Sequence, residues 1–280
     1  MKKIIVISLA VILVLCFGAV VYYKLSRPKG IQVVVEETKR AVLKAPFVDK
    51  DIDLTAGLSP EIWDVIEPTE IGLMHQIMVL PWGKSSPPQI TVKAFHNRQN
   101  IYFYMKWKDT TEDKVVEVNR FSDAGAIMFP LGEKVPPQSI MMGFLGRANI
   151  WHWKASQDNE FWAKKPRVTK AYSDFYYPFE EKELFPVSKE VPVSAVNDLI
   201  SIRVSTVTPK ETQRVEGRGF FEKGAWQVVF KRAIEPADIE SDAAFKTGGK
   251  RLCVFAVWNG SNGDRGGRKS ISDWVELEME

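Results

Sequence analysis

The sequence predicts a mainly β protein: an antiparallel two-sheet β-sandwich with few short helices, preceded by one N-terminal transmembrane helix. Three observations predict it. Short strand-like runs recur from residue 75 to 279, separated by Gly, Pro, Asn and Asp. Within the clearest of them, apolar side chains alternate at a period of two. Residues 4–23, IIVISLAVILVLCFGAVVYY, carry no charge and are long enough to span a bilayer as a helix.

Residues 1–29 read as a membrane anchor or signal segment. No small-x-small cleavage site follows the apolar run, which favours an uncleaved anchor over a signal peptide. Tyr22 and Tyr23 suit a membrane–water interface, and Cys16 is a poor match to a lipoprotein signal. Lys2 and Lys3 argue for the N-terminus inside, while Lys24, Arg27 and Lys29 oppose that with equal weight. Residues 30–59 read as a linker and lead-in segment, in which IQVVVEE suits a strand. Residues 60–280 form the predicted sandwich domain.

In that domain HQIMVLPW (75–82), QITVKAFHN (89–97), NIYFYMKWKD (100–109), DAGAIMFPL (123–131) and ANIWHWKA (148–155) are the first group of strands. NIYFYMKW puts Ile101, Phe103, Met105 and Trp107 on one face, with Tyr102, Tyr104 and Lys106 on the other. Asn97–Asn100 reads as a hairpin turn. Residues 156–195 mix aromatics and charges without a period, which predicts a long excursion with one short helix. LISIRVSTV (199–207), VEGRGFFEKGAWQVVFKRAI (215–234), LCVFAVWNG (252–260) and SDWVELEM (272–279) restore the strand pattern, with a turn at Glu222–Gly224.

Composition excludes several functions. A formal charge of +3, scattered along the chain, is not the footprint of a nucleic-acid binder. Two cysteines, Cys16 and Cys253, rule out an iron–sulfur cluster and a disulfide framework. No CxxCH is present, so haem is not attached covalently in the c-type manner. GGRKS lacks the spacing of a phosphate-binding loop, and no GxSxG or HExxH occurs. Nine Trp and sixteen Phe fit either a β-rich core or a flat apolar pocket for a planar ligand.

Two blocks carry more. The first, Ile140–Ala155, is IMMGFLGRANIWHWKA: two methionines, a glycine turn, then a strand with Trp151, His152 and Trp153. The second, Ala256–Trp274, is AVWNGSNGDRGGRKSISDW. Together they resemble the haem-b-binding gamma subunit of the type II dimethyl sulfoxide reductase family. That family includes ethylbenzene and dimethylsulfide dehydrogenases, selenate and chlorate reductases, and nitrite oxidoreductases with related nitrate reductases. The resemblance covers roughly residues 60–280.

The resemblance implies one non-covalent haem b held between the layers of the sandwich, with Met142 and Lys269 as axial ligands. A thioether is a soft neutral ligand that raises haem potential. An amine ligates only when neutral, which burial in an apolar pocket favours. Met141 is adjacent to Met142 and points to the opposite face, Met128 is a third thioether, and Lys223 and Lys231 are weaker amine candidates. His75, His96 and His152 are given no axial role by the family pattern. Arg147, Lys154 and Arg268 are candidate propionate partners by charge alone. The resemblance further implies a non-catalytic electron-transfer subunit. Its partners would be an iron–sulfur beta subunit, a molybdenum-cofactor alpha subunit and an external cytochrome or other electron carrier. The location would be periplasmic or an equivalent extracytoplasmic compartment. The nitrite oxidoreductase or nitrate reductase branch is the preferred member. The rival readings from the residues are a carbohydrate- or ligand-binding β-sandwich and a structural membrane-anchoring subunit.

Overall fold

The structure is a computed structural model, and it describes residues 40–77, 86–132, 140, 143–163, 194–203 and 206–280. Strands β1 (Ala41–Ala45), β2 (Thr69–Gly72), β3 (Met74–His75), β4 (Gln89–His96) and β5 (Asn100–Lys108) come first, with a one-turn helix α1 at Pro60–Trp63. Next are β6 (Ala124–Pro130), β7 (Ala148–Lys154) and helix α2 (Ala155–Phe161). The chain finishes with β8 (Val196–Ser201), β9 (Val207–Pro209), β10 (Glu216–Glu222), β11 (Ala225–Ala233), β12 (Lys250–Trp258), β13 (Ser270–Ile271) and β14 (Val275–Met279).

Among the described residues these strands form two sheets. The larger has nine strands, in the order β1-β14-β12-β6-β7-β8-β9, with β13 beside β12 and β3 beside β13. The smaller has five, β10-β11-β5-β4-β2. Every pairing is antiparallel except β1 with β14. The predicted mainly β two-sheet architecture with few short helices is present, antiparallel as expected except for the parallel pair of β1 with β14. The predicted transmembrane helix lies outside the described residues, and among those described no helix is long and apolar enough to cross a membrane. Residues 40–280 make one unit. Its sheet begins before residue 60, because β1 pairs with β14 and Ile52 and Leu54 are buried.

The alternation in β5 shows why these strands form. Ile101, Phe103, Met105 and Trp107 enter the core between the sheets, and Tyr102 and Tyr104 join a second cluster with Ile52, Leu54, Ile62 and Trp63. That second cluster covers the outward face of the five-stranded sheet, and α1 is there to supply Ile62 and Trp63. The β10–β11 hairpin turns on Lys223 and Gly224, with φ of 51° and 71°. Two consecutive positive φ values are the primed turn that matches strand twist, and glycine accepts the second without strain.

The interlayer core is filled. Trp151 and Trp153 of β7 meet Phe129 of β6 at 4.8 Å and Trp226 of β11 at 4.9 Å between ring centroids. Burying each such ring contributes roughly 1.5–3 kcal/mol. Asp158 of α2 accepts from Trp153 Nε1 and from the Gly219 N–H, both at 2.6 Å, and so ties α2 to both sheets. Among the described residues, aromatic rings fill much of the space between the layers. The excursion after β7 begins with the expected short helix, α2, and residues 164–193 lie outside the described set. Cys253 is a buried free thiol.

Candidate functional site

The outward face of the nine-stranded sheet carries a separate apolar cluster. Residues paired across strands share a face, so the register reads off its floor in rows. Trp258, Ala124 and Lys154 form one row, and Ile271, Ala256, Ala126 and His152 form the next. Val254, Met128 and Ile150 form a third row farther along. Trp274, Ile140 and Phe144 pack onto these rows, with Phe144 edge-on to Trp274 at 5.4 Å. Three alanines, Ala124, Ala126 and Ala256, lie buried at its centre among larger side chains.

Lys269 stands at the edge of this floor. It precedes Ser270, whose partner on β12 is Val257, so Lys269 lies beside Trp258 on the outward face. Its Nζ sits 4.9 Å from the centre of the Trp258 ring. The side chain is half-buried, yet its amine is desolvated, and burial alone pushes its pKa down to about 8. Among the described residues no carboxylate pairs with it.

The glycine-rich block that delivers Lys269 is an ordered loop. The Trp258 Nε1 donates to Gly266 O at 2.9 Å, and the Gly260 N–H donates to Asp123 at 2.8 Å. Asn259 Oδ1 accepts from the Asn262 N–H at 2.8 Å, and Asp264 Oδ2 accepts from the Asn259 N–H at 3.2 Å. Backbone bonds between Arg265 and Arg268 close the loop before β13. On the far side of β13, the Gln76 N–H donates to Lys269 O at 2.8 Å. Gly260 has no room for a Cβ, which would overlap the Phe121 carbonyl.

His152 lies on the same floor, its ring 4.7 Å from that of Trp258. Burial, then the charges of Lys154 and Lys269, hold its pKa well below the usual histidine range. Its Nε2 is buried without a hydrogen-bond partner. His75 is also buried with neither ring nitrogen bonded, but it shares the face of Ser270, opposite to Lys269. His96 is engaged elsewhere, its Nε2 2.6 Å from Glu280 O.

The other expected residues sort plainly. Met141 and Met142 lie outside the described residues. Their flanking residues are described: the Gly143 N–H donates to Ile140 O at 2.8 Å, and Gly143 has φ of 86°, a conformation glycine accepts. Ile140 and Phe144 both pack on the outward cluster. Met128 is on the same face, half-buried. Lys223 is in the β10–β11 turn and Lys231 pairs with Asp51 at 2.8 Å, so both weaker amine candidates belong to the other sheet. Lys154 faces the floor beside Ala124. Arg268 is turned to Asp264 at 3.5 Å, and the Arg147 guanidinium donates to Glu240 O at 2.9 Å. Sequence reasoning missed Trp258, the alanine floor and Gln76. The signal for the first two was strand phase, since Ala124, Ala126, Ala256 and Trp258 alternate with core residues.

A haem fits the chemistry of this face. The cluster is apolar, and the Lys269 amine beside it is desolvated, with no carboxylate paired to it among the described residues. Such an amine is the kind a Lewis-acidic metal can hold in its neutral form.

The comparisons point the same way. The profile of the ethylbenzene dehydrogenase family matches residues 60–270. A protein of Haloferax mediterranei described as a respiratory nitrate reductase heme subunit is 24% identical over 219 residues, 78% of this chain and 66% of the relative. The match thus spans just under two thirds of that relative's length. The chlorate reductase subunit gamma of Ideonella dechloratans is 21% identical over 252 residues, 85% of this chain and 87% of the relative. A family 9 carbohydrate-binding module of Caldicellulosiruptor kristjanssonii superposes with a TM-score of 0.42 at 8% identity, covering 85% of this chain and 95% of the module. At that score the likeness decides nothing about ligand. The chain belongs to the ethylbenzene dehydrogenase family, the gamma-subunit family of the type II dimethyl sulfoxide reductases.

Proposed function

We propose that this chain is a non-catalytic electron-transfer subunit of a molybdenum oxidoreductase. In this reading it binds one haem b on the outward face of its larger sheet, with Lys269 and Met142 as axial ligands. The observation that carries the reading is Lys269: a desolvated amine with no anionic partner among the described residues, beside an apolar cluster that holds three alanines. Membership of the family, and relatives named as a heme subunit and a gamma subunit, support it.

When bound, the haem supplies a one-electron carrier, and two protein ligands leave it no open position for substrate. The chain's own residues do the rest. The ordered loop Asn259–Lys269 holds the amine in place, and the apolar surroundings make its neutral, metal-binding form easier to reach. Ile140 and Phe144 anchor the chain on either side of Met142 to the same cluster. Lys154 supplies positive charge at the floor for a carboxylate of the ligand. Electrons would pass between an iron–sulfur subunit of the complex and an external cytochrome or other carrier. The nitrite oxidoreductase or nitrate reductase branch is the assignment we favour. The N-terminal segment would anchor the chain outside the cytoplasm.

The test is expression with haem supplied, followed by the absorption spectrum of the purified chain. A low-spin six-coordinate spectrum, lost in Met142→Ala and in Lys269→Ala, is the expected result. Met141→Ala and Met128→Ala are the controls, and loss of the spectrum in either one alone reassigns the thioether. A colourless protein favours the carbohydrate-binding or structural alternatives.

A further inference from the structure

Gln76 is an unusual residue for its place. It is only 6% exposed, and its Oε1 is buried without any hydrogen-bond partner. A buried amide oxygen left unpaired is unfavourable, and native proteins rarely tolerate one without a reason. The register explains where it points. His75 pairs with Ser270 in antiparallel fashion, so Gln76 is the cross-strand neighbour of Lys269. The bond from the Gln76 N–H to Lys269 O, 2.8 Å, fixes that adjacency. Residues opposite one another share a face, which puts the Gln76 amide on the side of the Lys269 amine.

An amine that gives its lone pair to a metal keeps two N–H donors, and in an apolar pocket these need acceptors. Trp258 packs against Lys269 but presents a ring face, and its own N–H is committed to Gly266. The His152 ring is 4.7 Å from that of Trp258 and belongs to β7, two strands beyond β12, whereas Gln76 is hydrogen-bonded to Lys269 itself. Gln76 Oε1 is the unpaired acceptor on the adjacent strand.

We propose that Gln76 is the positioning residue for Lys269: its Oε1 accepts an N–H of the metal-bound amine and turns the amine's lone pair to the iron. This rests on the assignment of Lys269 as a ligand. Hydrogen bonds behind a ligand raise its donor strength and fix its orientation. The oxidised metal gains more from a strong amine donor than the reduced one does.

The test is the midpoint potential of the haem-loaded full chain. Gln76→Met keeps volume and removes the acceptor. A bond to Lys269 weakened about tenfold in the oxidised state relative to the reduced one raises the potential by about 59 mV. In a Lys269→His background, whose imidazole can ligate but offers Gln76 no amine N–H, the same substitution is expected to shift nothing. Should Gln76→Met fail to fold, Gln76→Asn, which withdraws the amide by one methylene, carries the same expectation. An unchanged potential, or an equal shift with and without Lys269, overturns the proposal. The Lys269→Ala spectrum separates the two failures: if that variant keeps the parent spectrum, the ligand assignment falls and Gln76 falls with it.

Discussion

In the proposed reading Lys269 concentrates the chemistry in one side chain. Beside Gly266, Gly267 and Arg268 it reads as a solvated loop lysine, and only the resemblance reverses that reading. Burial could not be seen in the sequence, because it comes from Trp258 and the outward cluster folding over the loop. Its lowered pKa has a measurable consequence in the haem-free chain. An unfolded lysine titrates near 10.4, so between about 8 and 10 the unfolded state binds more protons than the folded one. Stability contributed by this site therefore rises as pH increases through that window. Below pH 8 the charged amine costs about 3 kcal/mol, because each tenfold loss of proton affinity on folding is worth about 1.36 kcal/mol. Lys269→Met is expected to be more stable than the parent by about that amount at pH 7, with the gap closing towards pH 10. Denaturant melts at the two pH values measure it, and a pH-independent gap would mean that the amine is not desolvated.

At the scale of elements, alternation made much of the sandwich legible. NIYFYMKW splits its faces as its period of two demands, and the β10–β11 turn falls at Lys223-Gly224. What stayed hidden depends on contacts distant in sequence. β1 is held by β14, more than two hundred residues away, and nothing local in AVLKA announces it. The proposed site lies on the outward face, where β6 and β12 carry Ala124, Ala126 and Ala256 while Phe129, Trp151, Trp153 and Phe255 face inward. That phase predicts an effect: Ala126→Phe overfills the outward cluster and should abolish haem binding at a stability cost of about 1–3 kcal/mol. Retained haem with a normal circular dichroism spectrum would place the ligand elsewhere. The interlayer spacing makes a second prediction. A Cβ on Gly219 would overlap the Trp153 ring. Overpacking of this kind costs about 1–3 kcal/mol, so Gly219→Ala should lower the urea midpoint without altering haem ligation.

For the whole molecule, a cofactor that binds only the folded state adds stability by mass action. At a haem concentration one hundred times its dissociation constant the gain is about 2.7 kcal/mol. Haem-loaded chain should therefore melt higher than haem-free chain, and Lys269→Ala should lose much of that difference. The proposed electron-transfer role also predicts company. Affinity capture of the full chain from its native host should bring a molybdenum-containing subunit and an iron–sulfur subunit, identified by metal analysis and mass spectrometry. Haem ligation by Lys269 is tested most simply by the absorption spectrum of the haem-supplied chain beside its Lys269→Ala variant. A low-spin six-coordinate haem is expected in the parent, and its loss in the variant. A parent that takes up no haem, or a variant with the parent's spectrum, would refute the assignment.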